Sequence, residues 1–305
     1  MKNILLNLQY ATKYRMNGRT IITFSYIVAF ACLMLYKQPC FAAEQQQTDE
    51  GWILSTDLVG AYNPEALAVL ADASYVDVYH TDNSPLWNGL YIKGGSQLSI
   101  SPAYATFGAH FEWMPIAIAK LHFQYDYYHY FGQYGSLLTF DSGKAPFGKG
   151  VLKDRKGEEQ SGDGSRFLFQ PTLQAKFGNI IAMNKLTMAY YTFSGSGNFF
   201  YEQEYDTLLK KHDYLLDNQF QVFYEFSKTK ITKTFLIGPY YEVTHARGAA
   251  ITRKRLGLTA YYVPYATYKN INNPRVYLQT GYNIQDRNRH HEFYAIAGMG
   301  FDFNM

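Results

Sequence analysis

From residue 50 onward the chain has no run of 18 apolar residues, yet segments of 12 to 15 residues alternate apolar and polar side chains one by one. In the stretch 119–128, Ala119, Leu121, Phe123, Tyr125 and Tyr127 fall on one face and Lys120, His122, Gln124, Asp126 and Tyr128 on the other. A helix repeats every 3.6 residues and a strand every two, so this is strand sequence. Phe220, Val222, Tyr224 and Phe226 oppose Gln219, Gln221, Glu225 and Ser227 in the same way. Leu256, Leu258, Ala260 and Tyr262 oppose Arg255, Gly257, Thr259 and Tyr261, and the last segment sets Phe293, Ala295, Ala297, Met299, Phe301 and Phe303 against Tyr294, Gly298, Gly300 and Asp302. The 29 Tyr and 22 Phe fit this reading, because aromatic side chains favour strands.

Twelve such segments are predicted: 52–62, 66–80, 88–101, 103–114, 117–131, 165–177, 180–194, 214–228, 231–245, 251–265, 274–286 and 291–303. Alternation alone also suits a soluble sandwich. Length separates the two, since globular strands average about 5–6 residues whereas a membrane-crossing strand needs about 9–11. The connections fall into two classes. Those at 63–65, 101–103, 131–165, 195–213, 246–250 and 287–290 share one end, and both long ones are among them; short turns near 81–87, 114–116, 178–179, 229–230 and 266–273 share the other.

The N-terminus has the layout of an export signal. Lys2, Lys13, Arg15 and Arg19 precede the apolar run 21–35, and small residues follow, so cleavage is expected after Ala42 or Ala43, with Met16 a candidate start. A retained single-span anchor is the alternative. Residues 1–42 carry five of the 28 Lys and Arg and none of the 25 Asp and Glu, so the remainder has 23 against 25, a net charge of −2. The overall +3 therefore gives no argument for nucleic-acid binding. Cys32 and Cys40 lie in the same segment, which leaves the expected mature chain without a thiol.

A basic-apolar leader, amphipathic strands with aromatic ends and the terminal "HEFYAIAGMGFDF" together resemble Gram-negative outer-membrane β-barrels. Members of that class usually end on phenylalanine, whereas here Asn304 and Met305 follow Phe303. The resemblance implies an all-β, transmembrane antiparallel barrel of about twelve strands over 52–303. It also implies a short periplasmic segment at 43–51, periplasmic termini and long outward loops at 131–165 and 195–213. The partners it implies are outer-membrane lipids, lipopolysaccharide, the barrel assembly machinery and periplasmic chaperones. The functions it suggests are a narrow porin-like channel for small polar solutes or a structural surface protein, with a barrel-embedded enzyme acting on phospholipid or lipid A as the alternative.

The polar faces of these strands place His110, Glu112, Lys120, His122, Asp126, Lys176, Glu225, Glu242, Arg255 and Asp302 in the lumen. A hairpin folding about Met114 to Ile116 would set His110 opposite Lys120 and Gly108 opposite His122, with Glu112 diagonal to Lys120. His122 and Asp126 are four strand residues apart, about 13 Å, too far for a direct catalytic pair. No ligand spacing demands a metal, and no cofactor is expected. Ser194 and Ser196 sit at a strand end without a G-x-S-x-G elbow. The loop 131–165, with Lys144, Lys149, Lys153, Arg155 and Lys156, lacks a phosphate-loop motif and is expected to be solvated, folding inward being the alternative. Segment 198–218 could begin with an interfacial helix, with Phe199, Phe200 and Tyr201 anchored at the membrane or packed over the mouth. Arg247, Arg287 and Arg289 are the outer-surface cations expected to meet lipopolysaccharide phosphates.

Overall fold

A computed structural model describes residues 50–81, 86–226, 228, 229, 231–265 and 272–304; the expected signal segment and residues 43–49 lie outside the described residues. In chain order the elements are β1 (Gly51–Tyr62), β2 (Ala66–Thr81), β3 (Asn88–Ile100), β4 (Tyr104–Ile116), β5 (Ala119–Phe131), β6 (Thr139–Phe140), α1 (Lys149–Asp154), β7 (Ser161–Phe177) and β8 (Ile180–Phe193). There follow β9 (Phe199–Glu202), β10 (Thr207–Lys210), β11 (His212–Glu225), β12 (Thr232–Ala246), β13 (Ile251–Pro264), β14 (Asn272–Gln285) and β15 (Phe293–Asn304). Twelve of the strands form one closed antiparallel barrel, and β6, β9 and β10 form a separate three-stranded sheet.

Closure joins β1 to β15, with Ile53 opposite Asn304 and Tyr62 opposite Ala295. Among the described residues the barrel itself leaves no open strand edge, the condition that a sheet placed in lipid has to meet. Alternation sorts the side chains between the two surfaces. Tyr125, Leu256, Leu258 and Met299 are exposed on the outside, Met299 by 58%, and Phe123, Phe220, Val222 and Phe301 are half-exposed on the same face. Gln124, Gln221 and Arg255 are buried within.

Proline corrects the expected hairpin register. Pro115 does not make the turn between β4 and β5; it lies inside β4, where the pairing shifts between Trp113 and Ile116, and the chain reverses at Ala117 and Ile118. A proline lacking its N–H is tolerated at such an irregularity near a strand end. The hairpin therefore slides by four residues: His110 faces Gln124, Glu112 faces His122 and Gly108 faces Asp126, instead of the Lys120 and His122 pairings expected. The shift is even, so every side chain keeps its face.

Gly108 has a specific reason to be glycine. A Cβ there would lie 2.2 Å from Oδ1 of Asp126 and 2.6 Å from the Tyr125 carbonyl oxygen. Gly108→Ala is expected to destabilise the barrel by about 1–3 kcal/mol, the usual cost of overpacking, measured as a lower urea midpoint; an unchanged midpoint would mean the wall yields without cost.

The two long connections, 132–160 and 194–211, fold inward, the alternative to a solvated loop. β9 and β10 form a hairpin and β6 adds to its edge, with Thr139 opposite Phe200. This sheet fills one end of the barrel with an apolar plug. Leu137, Leu138, Phe140, Phe147, Phe200, Tyr201, Leu208 and Leu209 pack against Tyr128, Tyr130, Tyr191, Phe193, Leu215 and Ile251 of the wall. The expected interfacial helix at the start of 198–218 is instead the β9–β10 hairpin, with Phe200 and Tyr201 inside the mouth. Tyr128 and Tyr130 of β5 line the plug socket. The one short helix of these loops, α1, starts the other side of β6 and buries no residue.

Candidate functional site: a charged lumen beneath a loop plug

The plug reaches its deepest point at the turn between β9 and β10, where Glu204 and Tyr205 join the lining of a cavity of about 340 Å³. Arg166 of β7 binds Glu204 at 2.6 Å and holds Asp126 with Nε at 2.9 Å and a terminal nitrogen at 2.7 Å. Arg253 donates to the Tyr205 carbonyl and, at 2.9 Å, to Glu242. Arg255 lies 3.7 Å from Glu242, donates to Asn283 at 3.1 Å and covers the Tyr294 ring at 4.5 Å. Buried charges of this kind persist only when paired and hydrogen-bonded.

A second cavity, about 230 Å³, lies toward the end where β1 begins and β15 ends, and it shares Gln97 and His122 with the first. His110 meets Asp72 at 2.5 Å, and Lys93 meets the same carboxylate at 3.3 Å. Glu112 collects Lys120 at 3.2 Å, His122 at 3.4 Å and the Tyr91 hydroxyl. The two imidazoles stack with centroids 5.6 Å apart. Arg275 bridges Asp57 at 2.6 Å and Asp302 at 2.7 Å, and Lys176 pairs with Glu225 at 2.6 Å. Apolar clusters around Tyr91 and Met114 and around Ile181 and Phe223 narrow this end.

All ten residues read as lumen-facing from the sequence occur in these networks. His122 and Asp126 do not touch; Gln124 lies between them, 2.9 Å from His122 and 2.8 Å from Asp126. Among the described residues no group of three or more His, Cys, Asp or Glu side chains is placed to hold a metal. Ser194 does not complete a hydrolase triad. Its Oγ accepts the Asp163 N–H and lies on the Cβ side of Gly162, while the His129–Asp163 pair, at 2.9 Å, occupies the opposite face of the strand. Ser196 donates to Gln160.

The three expected surface arginines divide. Arg247 and Arg287 are exposed, Arg247 over the Tyr214 ring and Arg287 on the Gly143 carbonyl. Arg289 is a correction: only 3% exposed, it grips Asp206 of the plug turn through two nitrogens and also donates to Asn63. A buried carboxylate in the neighbouring loop attracts it away from the surface. The latch is electrostatically matched, since burial pushes the Asp206 carboxyl up but the Arg289 hydrogen bonds and charge outweigh it and hold it below its ordinary value.

Glu202, one turn away, behaves oppositely. Burial, with the Glu204 charge adding to it, pushes its carboxyl up to about 8, although it accepts the Tyr205 and Glu204 N–H groups. A carboxyl raised from 4.5 to about 8 in the docked hairpin keeps a proton that the released hairpin gives up. Its contribution to docking is therefore complete below pH 4.5 and lost as pH rises through about 8. Amide exchange of β9 and β10 is expected to accelerate beyond the intrinsic rate as pH rises from 4.5 to about 8 and to level off above it, and Glu202→Gln is expected to remove that excess; an excess that persists in the variant would place the titrating group elsewhere.

Sequence reading missed Arg166, Lys185, Asp217 and Arg253, all in this chamber or directly behind it. Strand parity was the available signal. Arg166 shares a face with Leu168 and Gln170, and Lys185 with Ile181, Met183 and Ala189, but these inward faces are apolar enough to blur the alternation.

No family model matches the chain, and no curated protein matches it. It is similar to solved barrels, among them a KdgM porin in complex with disordered oligogalacturonate, 7% identical over 83% of this chain and 99% of that one, TM-score 0.39. An outer membrane channel from Pseudomonas putida F1 is 9% identical over 86% of this chain and 98% of that one, TM-score 0.44. The translocator domain of the autotransporter NalP from Neisseria meningitidis is 10% identical over 86% and 90%, TM-score 0.39. The likeness is one of barrel class.

Proposed function

We propose that this protein is an outer-membrane channel of Gram-negative type, in which a narrow polar lumen conducts small solutes only when its own loops withdraw from the mouth. The observation that carries the reading is the pairing of a charged, hydrogen-bonded interior with an exterior of exposed Leu, Phe, Tyr and Met. Such a barrel buries its apolar band in lipid and keeps water inside. In this reading the termini and short turns face the periplasm and the plug faces outward. Exposed Arg247 and Arg287 then lie where lipopolysaccharide phosphates would meet them, and the export and assembly machinery delivers the chain from the periplasmic side.

Selectivity follows from the lumen's fixed charges, which set the potential along a path too narrow for bulk water to screen. Purified barrel reconstituted into liposomes tests this. Slow swelling in isotonic solutes of monosaccharide size, above protein-free liposomes, is the expected result. Permeation equal to that of protein-free liposomes, for the wild type and for an Arg289→Ala variant that lacks the latch to Asp206, would remove the channel reading and leave a structural surface role.

A further inference from the structure

One register line crosses the chamber wall. Thr172 of β7, Lys185 of β8, Gln219 of β11, Glu242 of β12 and Arg255 of β13 are successive cross-strand partners. Lys185 makes no hydrogen bond or ion pair among the described residues, although it lines the cavity. Its cross-strand neighbours do not neutralise it. Thr172 and Gln219 are uncharged, and the carboxylate of Asp217, one register step along β11, is already held by the Thr244 hydroxyl at 2.7 Å and the Gln219 amide at 2.9 Å. Lys185 is half-buried in the cavity wall, and an ammonium left unpaired where water is restricted is costly and calls for a partner.

The same chamber leaves other donors unused. Nε of Arg253 is buried without a partner, and Arg255, with five N–H groups, has only its Nε hydrogen-bonded, to Asn283. The chamber is lined by Arg166, Lys185, Arg253 and Arg255 against Glu204 and Glu242. Asp126 and Asp217, which would balance the count, are fully buried behind the lining. Glu242, which stands between Lys185 and Arg255, already accepts from Arg253 and the Tyr240 hydroxyl. Around these cations the lining is amide. Gln170 and Gln219 each donate one N–H to the wall, to Thr187 and Asp217, and keep their oxygens free, while Gln97 makes no side-chain hydrogen bond among the described residues.

We propose that this chamber binds a small carboxylate- or phosphate-bearing polyol, its anion on the Lys185 ammonium and its hydroxyls on the glutamine amides and the side of the chamber where Arg255 stands. Arg255 stands three strand spacings from Lys185, about 14 Å along the wall, with its guanidinium held toward Asn283 and Tyr294, so it meets the far side of the ligand. A volume of about 340 Å³ is at the small end of ligand sites, which suits one sugar-sized ring. The assignment rests on the channel reading for its physiological direction only; the binding itself belongs to the folded barrel.

Equilibrium dialysis of the folded barrel in detergent, with glucuronate, glucose 6-phosphate and glucose, tests it. Both anions, or one of them, are expected to bind saturably and at least tenfold tighter than glucose; which one binds tells carboxylate from phosphate. Lys185→Met is expected to weaken that binding at least tenfold while leaving the urea midpoint equal or higher, because it removes an unpaired charge, and Lys185→Arg is expected to retain binding. Absence of anion preference, or undiminished binding by Lys185→Met, overturns the proposal. Loss of permeation with binding intact would instead count against the channel reading alone.

Discussion

Arg289→Ala is expected to turn the β9–β10 hairpin from a protected element into a freely exchanging one. Arg289 and Asp206 are both almost fully buried, 3% and 2% exposed, and joined by two hydrogen bonds. Removing one partner of such a pair leaves the other charge in a low-dielectric site without compensation, which costs about 3–5 kcal/mol. At about 1.4 kcal/mol per tenfold, the docked-to-released ratio falls by roughly two to three and a half orders of magnitude. The loss concentrates at the plug because Asp206 belongs to its turn, while Arg289 belongs to the β14–β15 connection of the barrel rim. Hydrogen exchange at Phe200, Tyr201, Leu208 and Leu209 is the readout, with strand amides of β14 and β15 as the unchanged internal reference. Arg287→Ala is the control: Arg287 is exposed and rests on the Gly143 carbonyl, so exchange should stay near wild type. Equal protection in the Arg289 variant would mean that apolar packing alone holds the plug.

Asp126→Ala should produce a loss of similar size in a different place, the barrel wall. Asp126 is fully buried and accepts from Arg166 twice and from Gln124 once. Without it the Arg166 guanidinium keeps Glu204 of the β9–β10 turn and a long hydrogen bond, 3.4 Å, to the Tyr191 hydroxyl. The expected cost is about 3–5 kcal/mol, seen as a lower urea midpoint for the whole barrel. Replacing both partners, Asp126→Ala with Arg166→Met, is expected to recover much of that loss, since a pair removed together leaves no orphaned charge. A double variant as unstable as the single would show that Arg166 contributes through packing over Tyr128 and Tyr191 rather than through its charge.

The wall of this molecule was legible because the outer and inner surfaces of a closed barrel impose opposite demands on alternate residues. Phe107, Tyr125, Leu256 and Met299 are exposed on one side of it, and Gln124, Asp126, Gln221 and Arg255 are enclosed on the other. Its register was less legible. Pro115 carries a turn signal, and only the neighbouring strands show that a bulge accommodates it within β4. The plug was the least legible part. Its apolar residues, such as Leu137, Leu138 and Phe147, are scattered through a loop otherwise rich in Gly, Lys and Asp, and they cohere only against Tyr130, Tyr191 and Phe193 of strands that lie far apart in sequence. Arg289 was misplaced for the same reason, since its partner Asp206 is 83 residues away. Pairing across a barrel is a tertiary property that no local pattern encodes.

Planar-bilayer recording of the wild type beside Arg289→Ala bears most directly on the central claim that the lumen is a conducting path closed by its own loops. The wild type should show little or only brief conductance and the variant sustained, ohmic openings. Indistinguishable traces, whether both open or both silent in protein shown to be folded, would contradict it.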